Sequence, residues 1–260
     1  MASTFWKGLG LMMLPFALIM KEPDLGSALV LLPAGFIMMY VAGTPRRFLW
    51  RLLAGVSLLA ALFLIDVLFL SPNWQIKLED YQRRRLLVYF GRDFRDYASP
   101  DATSAERLKL RTQQRNDSYN VEQALISVGS GGLTGKGWRQ GTQNALGYLP
   151  RAVAHNDFIF SVIAEEKGFM GSAVVLALYS VVLFTGIRIA GQARDRLGKL
   201  LAVGVVAMLF SHVFINIGMN IRIMPVTGVP LPLLSYGGSS VLCSLIAAGL
   251  LQNVYIHRRN

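Results

Sequence analysis

The stretch "GSALVLLPAGFIMMYVAGTPRRFLWRLLAGVSLLAALFLIDVLFL", residues 26–70, holds two long apolar runs on either side of a short basic connector. Each run approaches the roughly 20 residues that an α-helix needs to cross a hydrocarbon core about 30 Å thick. The connector places Arg46, Arg47 and Arg51 between the two runs. This alternation predicts a chain that crosses a membrane repeatedly as helices and keeps its charges in the connectors.

The composition of the whole chain agrees with this interpretation. Of its 260 residues, 53% are hydrophobic and 16% charged, and the mean hydropathy is +0.44, which excludes an ordinary soluble domain. The net charge of +11 would suit nucleic acid, but the basic residues gather beside apolar runs and in one long loop. Membrane topology and anionic lipid explain them better, so we expect membrane lipid and no nucleic acid as a partner. The single cysteine, Cys243, excludes an intramolecular disulfide and a multi-cysteine metal site.

Hydropathy predicts an all-α integral membrane protein, a polytopic helical bundle that forms a single membrane domain over residues 1–260. The first span contains only Lys7 near its start and has no small-residue cleavage site before the next span, so we expect a retained helix and not a signal peptide. The six predicted spans are at about 5–20, 26–44, 49–70, 158–187, 199–221 and 236–256.

Charge asymmetry between the connectors predicts the orientation. The segments "TPRRFLWR", "RIAGQARDRLGK" and the terminal "HRRN" are rich in Arg and Lys, and the positive-inside rule assigns them to the cytoplasm. Both ends of the chain then lie inside, whereas the Lys21–Gly26 turn, the large loop 71–157 and the loop 222–235 are extracytoplasmic. A loop as long as 71–157 translocates largely regardless of its own charge. We therefore expect the chemistry on the outer side.

The large loop divides into three parts. Residues 81–97, "YQRRRLLVYFGRDFRDY", alternate cationic, aromatic and aliphatic side chains and predict an amphipathic helix along the headgroups. Residues 98–117 are polar and are expected to be mobile. Residues 120–138, "NVEQALISVGSGGLTGKGW", predict a short amphipathic helix ended by glycines, as a re-entrant or interfacial element.

Two polar clusters are expected on the outer side before the fourth span. In "KEPDLG", residues 21–26, Lys21 and Asp24 occupy a turn, and an equal alternative is that Asp24 merely caps the next helix. In "GSGGLTGKGW", residues 129–138, Lys136 follows glycines whose spacing differs from that of a phosphate-binding P-loop, which disfavours nucleotide. That backbone is suited either to a close approach to pyrophosphate or simply to a flexible bend.

A third cluster lies in "HNDFIFSVIAEEKG", residues 155–168, at the mouth of an apolar run. Asp157 suits a general base, because partial desolvation raises the pKa of a carboxyl toward the operating pH; the alternative is a helix cap. Glu165, two turns further on, is expected to line a cavity, since carboxylates in membrane spans face a bundle interior or water. Lys167 is expected to neutralise one of the glutamates. His155 stands beside the same mouth.

The last outer loop, "RIMPVTGVPLPLLSYGGSS" at 222–240, contains three prolines that prevent a regular helix. Its free backbone groups must be buried in protein or face water, so the segment is expected to line a cavity. Arg222, Ser235 and Tyr236 are its candidate substrate-contacting residues. No Ser-His-Asp order or metal-ligand spacing stands out, and no metal ligands are assigned.

Five motifs together resemble the shape, elongation, division and sporulation (SEDS) family of peptidoglycan glycosyltransferases, the RodA/FtsW/SpoVE group. They occur in the family's order over nearly the whole chain: "PDLGSALV", "YQRRR", "GSGGLTGKGW", "HNDFIFSVIAEEKG" and "VPLPLLSYGGSS". The loop "VTGVPLPLLSYGG" is more similar to the RodA type of the elongation machinery than to FtsW, which usually carries a Lys near the position of Val229. Asn156 replaces the family's usual Thr, and the loop around residues 91–116 is longer than typical.

The resemblance implies that Asp157, in the position of the family's catalytic aspartate, deprotonates the 4-hydroxyl of a lipid II acceptor. The leaving group would be undecaprenyl pyrophosphate, with inversion at the anomeric carbon. No cofactor is firmly implied, although a divalent cation (Mg or Mn) is possible. The expected partner is a class B penicillin-binding protein, and the expected location is the bacterial inner (plasma) membrane, multi-pass, with the active site outside. The substrate-cavity residues expected beside Asp157 are Lys21, Asp24, Lys136, His155, Glu165, Arg222, Ser235 and Tyr236.

Two other functions compete with glycan polymerisation. One is a lipid II flippase, which needs alternating access but no base at the cavity lip. The other is a truncated, non-catalytic scaffold that binds the penicillin-binding protein. The chain begins near what would be the family's fifth span, so it corresponds to the C-terminal part of a SEDS-type fold. We expect it to have little activity alone and to leave the polar faces around His212 and Asn216 open to lipid.

Overall fold

A computed structural model describes residues 2–22, 24–69, 80–92, 103–149 and 154–258, and in these ranges the chain contains helices and no strand. The helices are α1 (Ala2–Lys21), α2 (Leu25–Val41), α3 (Arg46–Phe69), α4 (Asp80–Phe90), α5 (Ser104–Ser130), α6 (Thr142–Ala145), α7 (Ile159–Gln192), α8 (Arg196–Asn220) and α9 (Gly238–Ile256). The prediction of an all-α bundle is confirmed.

Each of the six predicted spans coincides with one of the long helices. Four of them, α3, α7, α8 and α9, are long and apolar enough to cross a membrane, and α2 is an apolar helix of shorter length. The helices therefore have the dimensions and composition of a polytopic membrane protein.

Helix α8 is the centre of the bundle. It packs against α2 on one side and against α7 and α9 on the other, whereas α1 and α3 lie at the edge against α2. Close approach depends on small side chains: a Cβ at Gly186 of α7 would stand 2.4 Å from Cγ2 of Val206 in α8. Tight packing matters here because lipid tails are as apolar as the helices, so the hydrophobic effect contributes little to helix association in a membrane. Van der Waals packing must supply much of the stabilisation.

Helix α7 is interrupted at Gly168, whose φ of 65° and ψ of −163° are not helical. With 34 residues the helix is about 51 Å long, well beyond the hydrocarbon thickness. Residues before the break are mostly buried in protein, whereas those after it are largely exposed along one apolar surface. Glu165 belongs to the protein-enclosed part before the break.

The glycine-rich segment 131–137 docks onto this break. It pairs with the backbone groups that the interrupted helix leaves free. The bonds are Phe169 N to Gly132 O (2.8 Å), Met170 N to Leu133 O (3.1 Å), Lys136 N to Glu165 O (3.0 Å) and Gly137 N to Glu166 O (3.0 Å). A Cβ at Gly135 would stand 2.2 Å from Glu166 O, so the contact requires glycine. The segment is an ordered connection to α7 and not the flexible bend that was one of the two alternatives.

The large loop is more helical than expected. The prediction of a helix from residue 81 is confirmed by α4, although residues 93–97 lie outside the described ranges. Its placement along the headgroups stays a prediction. Residues 104–117, expected to be mobile, instead begin the 27-residue helix α5. Residues 104–128 contain neither Pro nor Gly and are rich in Arg, Gln and Leu, which favour helix even in a polar segment. The predicted end at the glycines is confirmed, since α5 stops at Ser130.

Candidate functional site

Asp157 lies in the turn that precedes α7. The N-cap position is Phe158, and it shows no side-chain cap hydrogen bond in the described structure, so the alternative that Asp157 caps the helix is wrong. The backbone carbonyl oxygen of Asp157 accepts bonds from Asn216 Nδ2 at 2.9 Å and Asn220 Nδ2 at 3.1 Å. The backbone at Asp157 is thus fixed by hydrogen bonds that do not involve its carboxylate.

The two asparagines of α8 connect three segments. Asn216 also donates to Val229 O at 2.7 Å, and Asn220 Oδ1 accepts from Ser161 Oγ at 2.6 Å and Ser161 N at 3.2 Å. Both asparagines are buried. The expectation that Asn216 opens to lipid is wrong, because its amide satisfies the carbonyls of the α7 entrance and of the last loop.

The last loop is tied to the entrance of α7 from the other side. Ser235 Oγ donates to Asn156 O at 2.6 Å and accepts from Leu231 N at 2.7 Å, and Tyr236 N donates to His155 O at 2.9 Å. Ser235 is buried, whereas the side chains of His155 and Tyr236 are exposed. Ser235 therefore helps to shape the region around Asp157, called the mouth below, through contacts with backbone groups. The rings of His155 and Tyr236 remain accessible beside it.

Helix α4 lies over the same loop. Arg85 Nη1 donates to Thr227 O at 3.3 Å, and Tyr89 Oη donates to Ile223 O at 2.7 Å. These contacts bring a guanidinium from the large loop to the surroundings of Asp157. The mouth is consequently built from α4, the entrance of α7, the end of α8 and the last loop.

The electrostatics of Asp157 suit a proton acceptor. Partial burial raises the pKa of its carboxyl above the ordinary value, and the nearby Arg85 lowers it by a smaller amount. Gly228, with φ of +77°, stands beside the carboxylate, since a Cβ there would be 3.7 Å from Asp157 Oδ2. A carboxylate with raised pKa and bare backbone beside it can receive a proton from a substrate hydroxyl.

The "KEPDLG" cluster lies at the entrance of α2. Asp24 caps that helix, because its Oδ1 accepts from Ser27 N at 3.0 Å. A Cβ at Gly26 would stand 2.6 Å from Thr227 O, so the start of α2 abuts the last loop. Lys21 is the exposed last residue of α1. This cluster borders the mouth through backbone packing.

Lys136 and Glu165 form a separate cluster at the α7 break. Lys136 Nζ lies 2.7 Å from Glu165 Oε1 and also donates to Ser130 Oγ at 2.9 Å and Thr142 Oγ1 at 2.7 Å. Glu165 Oε1 additionally accepts from Gln143 N at 3.0 Å. The Glu165 carboxylate is fully buried, and its charge is compensated at Oε1, where these donors converge. Its other oxygen, Oε2, is buried without a hydrogen-bond partner among the described residues.

Lys167 was expected to neutralise one of the two glutamates, but the partner of Glu165 is Lys136. The Nζ of Lys167 lies 5.0 Å from the ring centroid of Trp138, in a cation–π contact. Proximity in sequence did not reveal the partner of Glu165, because Lys136 reaches it only through the docked glycine segment.

The structure groups the predicted site residues unequally. His155, Ser235 and Tyr236 meet at Asp157; Lys136 and Glu165 lie about 12 Å further along α7. Arg222 is exposed just after α8, with φ of +59°.

Four residues at the mouth had no predicted role: Arg85, Asn216, Asn220 and Gly228. Two asparagines four residues apart in a mostly apolar helix were a usable signal, because polar side chains in a span need partners. Arg85 was one of three adjacent arginines, and only the fold distinguishes it from the others.

Comparison with known proteins agrees with this architecture. The family model for FtsW, RodA and SpoVE, described as a cell cycle protein, matches residues 1–260. The peptidoglycan glycosyltransferase MrdB of Escherichia coli K12 is 36% identical over 249 residues, covering 96% of this chain and 59% of that protein. The stage V sporulation protein E of Bacillus subtilis is 36% identical over 256 residues, covering 98% of this chain and 61% of that protein.

Two solved structures are similar across the bundle. One, described as "Structural coordination of polymerization and crosslinking by a peptidoglycan synthase complex", matches with a TM-score of 0.71 and 30% identity, covering 98% of this chain and 62% of that one. The other, a mutant of the rod-shape-determining protein RodA of Thermus thermophilus, gives a TM-score of 0.57 at 26% identity, covering 98% and 58%. The chain thus spans about six-tenths of the length of the proteins it matches.

Proposed function

This chain belongs to the FtsW/RodA/SpoVE family of cell cycle proteins, and from that premise we propose that it carries the catalytic aspartate of a peptidoglycan glycosyltransferase. Its substrate would be lipid II, polymerised into glycan strands during cell elongation. The observation that carries the proposal is the placement of Asp157: fixed through its backbone by two asparagines, partly desolvated, and beside the bare backbone of Gly228.

In the proposed reaction, the acceptor's 4-hydroxyl oxygen attacks the anomeric carbon of the donor glycan. The new glycosidic bond forms as the bond to undecaprenyl pyrophosphate breaks, and the hydroxyl proton passes to the Asp157 carboxylate. Attack opposite the leaving group inverts the anomeric configuration. The raised pKa of Asp157 supports this role, because it makes the carboxylate a better proton acceptor.

The surroundings of Asp157 suit a lipid pyrophosphate. Arg85 supplies a fixed positive charge, and arginine pairs well with phosphate oxygens. Among the described residues no three His, Cys, Asp or Glu side chains are grouped to hold a metal ion. We therefore propose that any Mg or Mn would take its ligands chiefly from the substrate's phosphates, and no step above depends on it.

The location and partner follow from the same proposal. The mouth would face the extracytoplasmic side of the bacterial inner membrane, as the basic connectors favour. The partner would be a class B penicillin-binding protein of the elongation machinery that crosslinks the strands. A similar structure from a peptidoglycan synthase complex, whose description names both polymerisation and crosslinking, supports this partner.

Glycan synthesis with purified lipid II tests the proposal. Asp157→Asn keeps the shape but removes the proton acceptor, so polymerisation should fall by about 10² or more. Asp195→Asn is the matched control, since Asp195 caps α8 at the opposite end of the bundle by accepting from Gly198 N at 3.1 Å. Both changes are made in this chain alone and in the chain fused to the first four helices of a RodA relative.

The rival functions give different results in the same assay. If Asp157→Asn stays within about threefold of its parent, the general-base role is wrong. A folded fusion that makes no glycan but binds the penicillin-binding protein would favour the scaffold. Translocation of lipid II across vesicles that survives Asp157→Asn would favour the flippase.

A further inference from the structure

A polar cavity lies at the end of the bundle opposite to Asp157. It opens between the C-terminal parts of α7 and α9 and has a volume of about 700 Å³. Pockets of this size accommodate small organic ligands. Its lining side chains include Thr185, Arg188, Gln192, Gln252, Tyr255 and Arg258. The proposed polymerisation reaction does not involve this cavity, because the full length of α7 separates it from Asp157.

One cation of the cavity is held in a defined position. The Arg258 guanidinium lies 3.7 Å from the ring centroid of Tyr255, and its Nη1 donates to Gln192 Oε1 at 2.8 Å. A guanidinium carries five N–H donors in a planar fork that matches two oxygens of a phosphate group. Stacking and the bond to Gln192 fix the plane of this fork, so less freedom is lost when an anion binds.

The charge around the cavity favours an anion. Arg188 adds a second cation, and no acidic side chain belongs to the described lining. The carboxylate of the nearby Asp195 is engaged with Gly198 N as the cap of α8.

The position of the cavity favours a lipid over a free anion. It lies at the ends of two helices long and apolar enough to span a membrane, where headgroups are expected. On the same helix faces toward the membrane centre, α7 exposes Leu178 and Val181 and α9 exposes Val241 and Leu245, which offer an apolar surface for acyl chains. Basic pockets between spanning helices bind anionic headgroups by this combination.

We propose that this cavity binds the phosphodiester headgroup of an anionic phospholipid, such as phosphatidylglycerol or cardiolipin. Arg258 and Arg188 contact the phosphate oxygens, Gln252 and Thr185 add neutral hydrogen bonds, and the acyl chains lie along α7 and α9. The lipid joins the ends of these two helices. This site is independent of the glycosyltransferase activity, since it needs neither Asp157 nor lipid II.

The test measures lipid binding by the purified chain in neutral detergent. Native mass spectrometry counts bound phosphatidylglycerol against phosphatidylcholine over a lipid titration. The cavity variant is Arg188→Gln with Arg258→Gln. The matched control is Arg194→Gln with Arg196→Gln, which removes the same charge from exposed connector positions outside the lining. We expect the cavity variant to bind phosphatidylglycerol roughly tenfold or more weakly, and the control to bind nearly as the parent does.

Several outcomes would overturn the proposal. Equal loss in both double variants would mean diffuse surface attraction, and displacement of the lipid by millimolar inorganic phosphate would mean a free-anion site. Absence of selective phosphatidylglycerol binding by the parent would leave the cavity to another occupant. If the double variant does not fold, Arg258→Lys decides: it keeps the charge but loses the fixed fork, so weaker binding supports the site and unchanged binding contradicts it.

Discussion

Asn216, in the last turns of α8, donates from Nδ2 to the backbone carbonyl oxygen of Asp157 at 2.9 Å. The same amide donates to Val229 O at 2.7 Å, so one side chain fixes both the proposed base and the loop that faces it. Asn220 adds a second bond to Asp157 O at 3.1 Å. The position of the Asp157 carboxylate therefore depends on a helix that contributes no reacting group.

Replacing Asn216 by leucine should reduce turnover more than substrate binding. The change leaves Val229 O without this donor, at a cost of about 1–3 kcal/mol. It also removes one of the two side-chain donors to Asp157 O, which lets Asp157 shift. A displacement of roughly 1 Å at a catalytic group is enough to lower rates by about 10². Steady-state kinetics in the fused protein would show a fall in kcat with little change in KM for lipid II.

The exposed Asn253 of α9 provides the control, because Asn253→Leu makes the same change far from the mouth. If Asn216→Leu lowers only the thermal stability and leaves kcat unchanged, Asn216 is structural and does not position the base.

Arg85→Gln should move the acid limb of the pH–activity profile to higher pH. Asp157 accepts a proton only when ionised, so activity is lost as the pH falls through its pKa. Arg85 lowers that pKa, and removing the guanidinium raises it further. Rates measured from pH 4 to 8 would show the shift. The exposed Arg107 of α5 serves as the control; a limb that stays in place, or moves to lower pH, contradicts the coupling.

The Lys136–Glu165 pair should respond unequally to the loss of each partner. Lys136→Met leaves a fully buried carboxylate uncompensated, for which a cost of about 3–5 kcal/mol is expected. Glu165→Gln should cost less, because the Lys136 side chain is 27% exposed and can turn toward water. Thermal unfolding in detergent tests this order, and the double variant should recover part of the loss.

The same pair also separates support of the fold from chemistry. Glu165→Gln should lower polymerisation less than Asp157→Asn, because Glu165 belongs to the α7 break and not to the mouth. The reverse ranking would place the catalytic group further along α7.

Gly135→Ala should destabilise the chain more than Gly132→Ala. Both glycines have positive φ, +81° and +56°, so both substitutions carry backbone strain of about 1 kcal/mol. Only at Gly135 would the new Cβ collide, 2.2 Å from Glu166 O, whereas nothing lies within 4 Å of the Cβ position at Gly132. Equal melting temperatures for the two variants would show that the docked segment 131–137 can move to relieve the clash at little cost in stability.

Single cysteines test the orientation. In a Cys243→Ser background, Ser104→Cys at the start of α5 should react with an impermeant thiol reagent in spheroplasts, and Gln192→Cys at the end of α7 should not. Both positions are exposed, so burial does not decide the result. Labelling of the α7 position alone would reverse the topology.

Sequence alone was sufficient for the membrane class and the six long helices. It also singled out Asp157 as the candidate base, which stays a prediction. Span length and apolarity are local properties, since a segment in lipid must satisfy its own backbone groups within one helix. The end of α5 at its glycines is local as well, because glycine has a low helix propensity. The error over residues 104–117 came from equating polarity with mobility, although those residues have good helix propensity.

Only the tertiary structure decided which residues surround Asp157 and which partner neutralises Glu165. Arg85 meets Thr227 across 142 positions, and Asn216 meets Asp157 across 59. Such pairs leave no periodic trace in the sequence, because they arise only when separate helices pack and bring unsatisfied polar groups together. The break at Gly168 is also decided by tertiary packing. Its free backbone groups are tolerated because the distant segment 131–137 docks there and completes their hydrogen bonds.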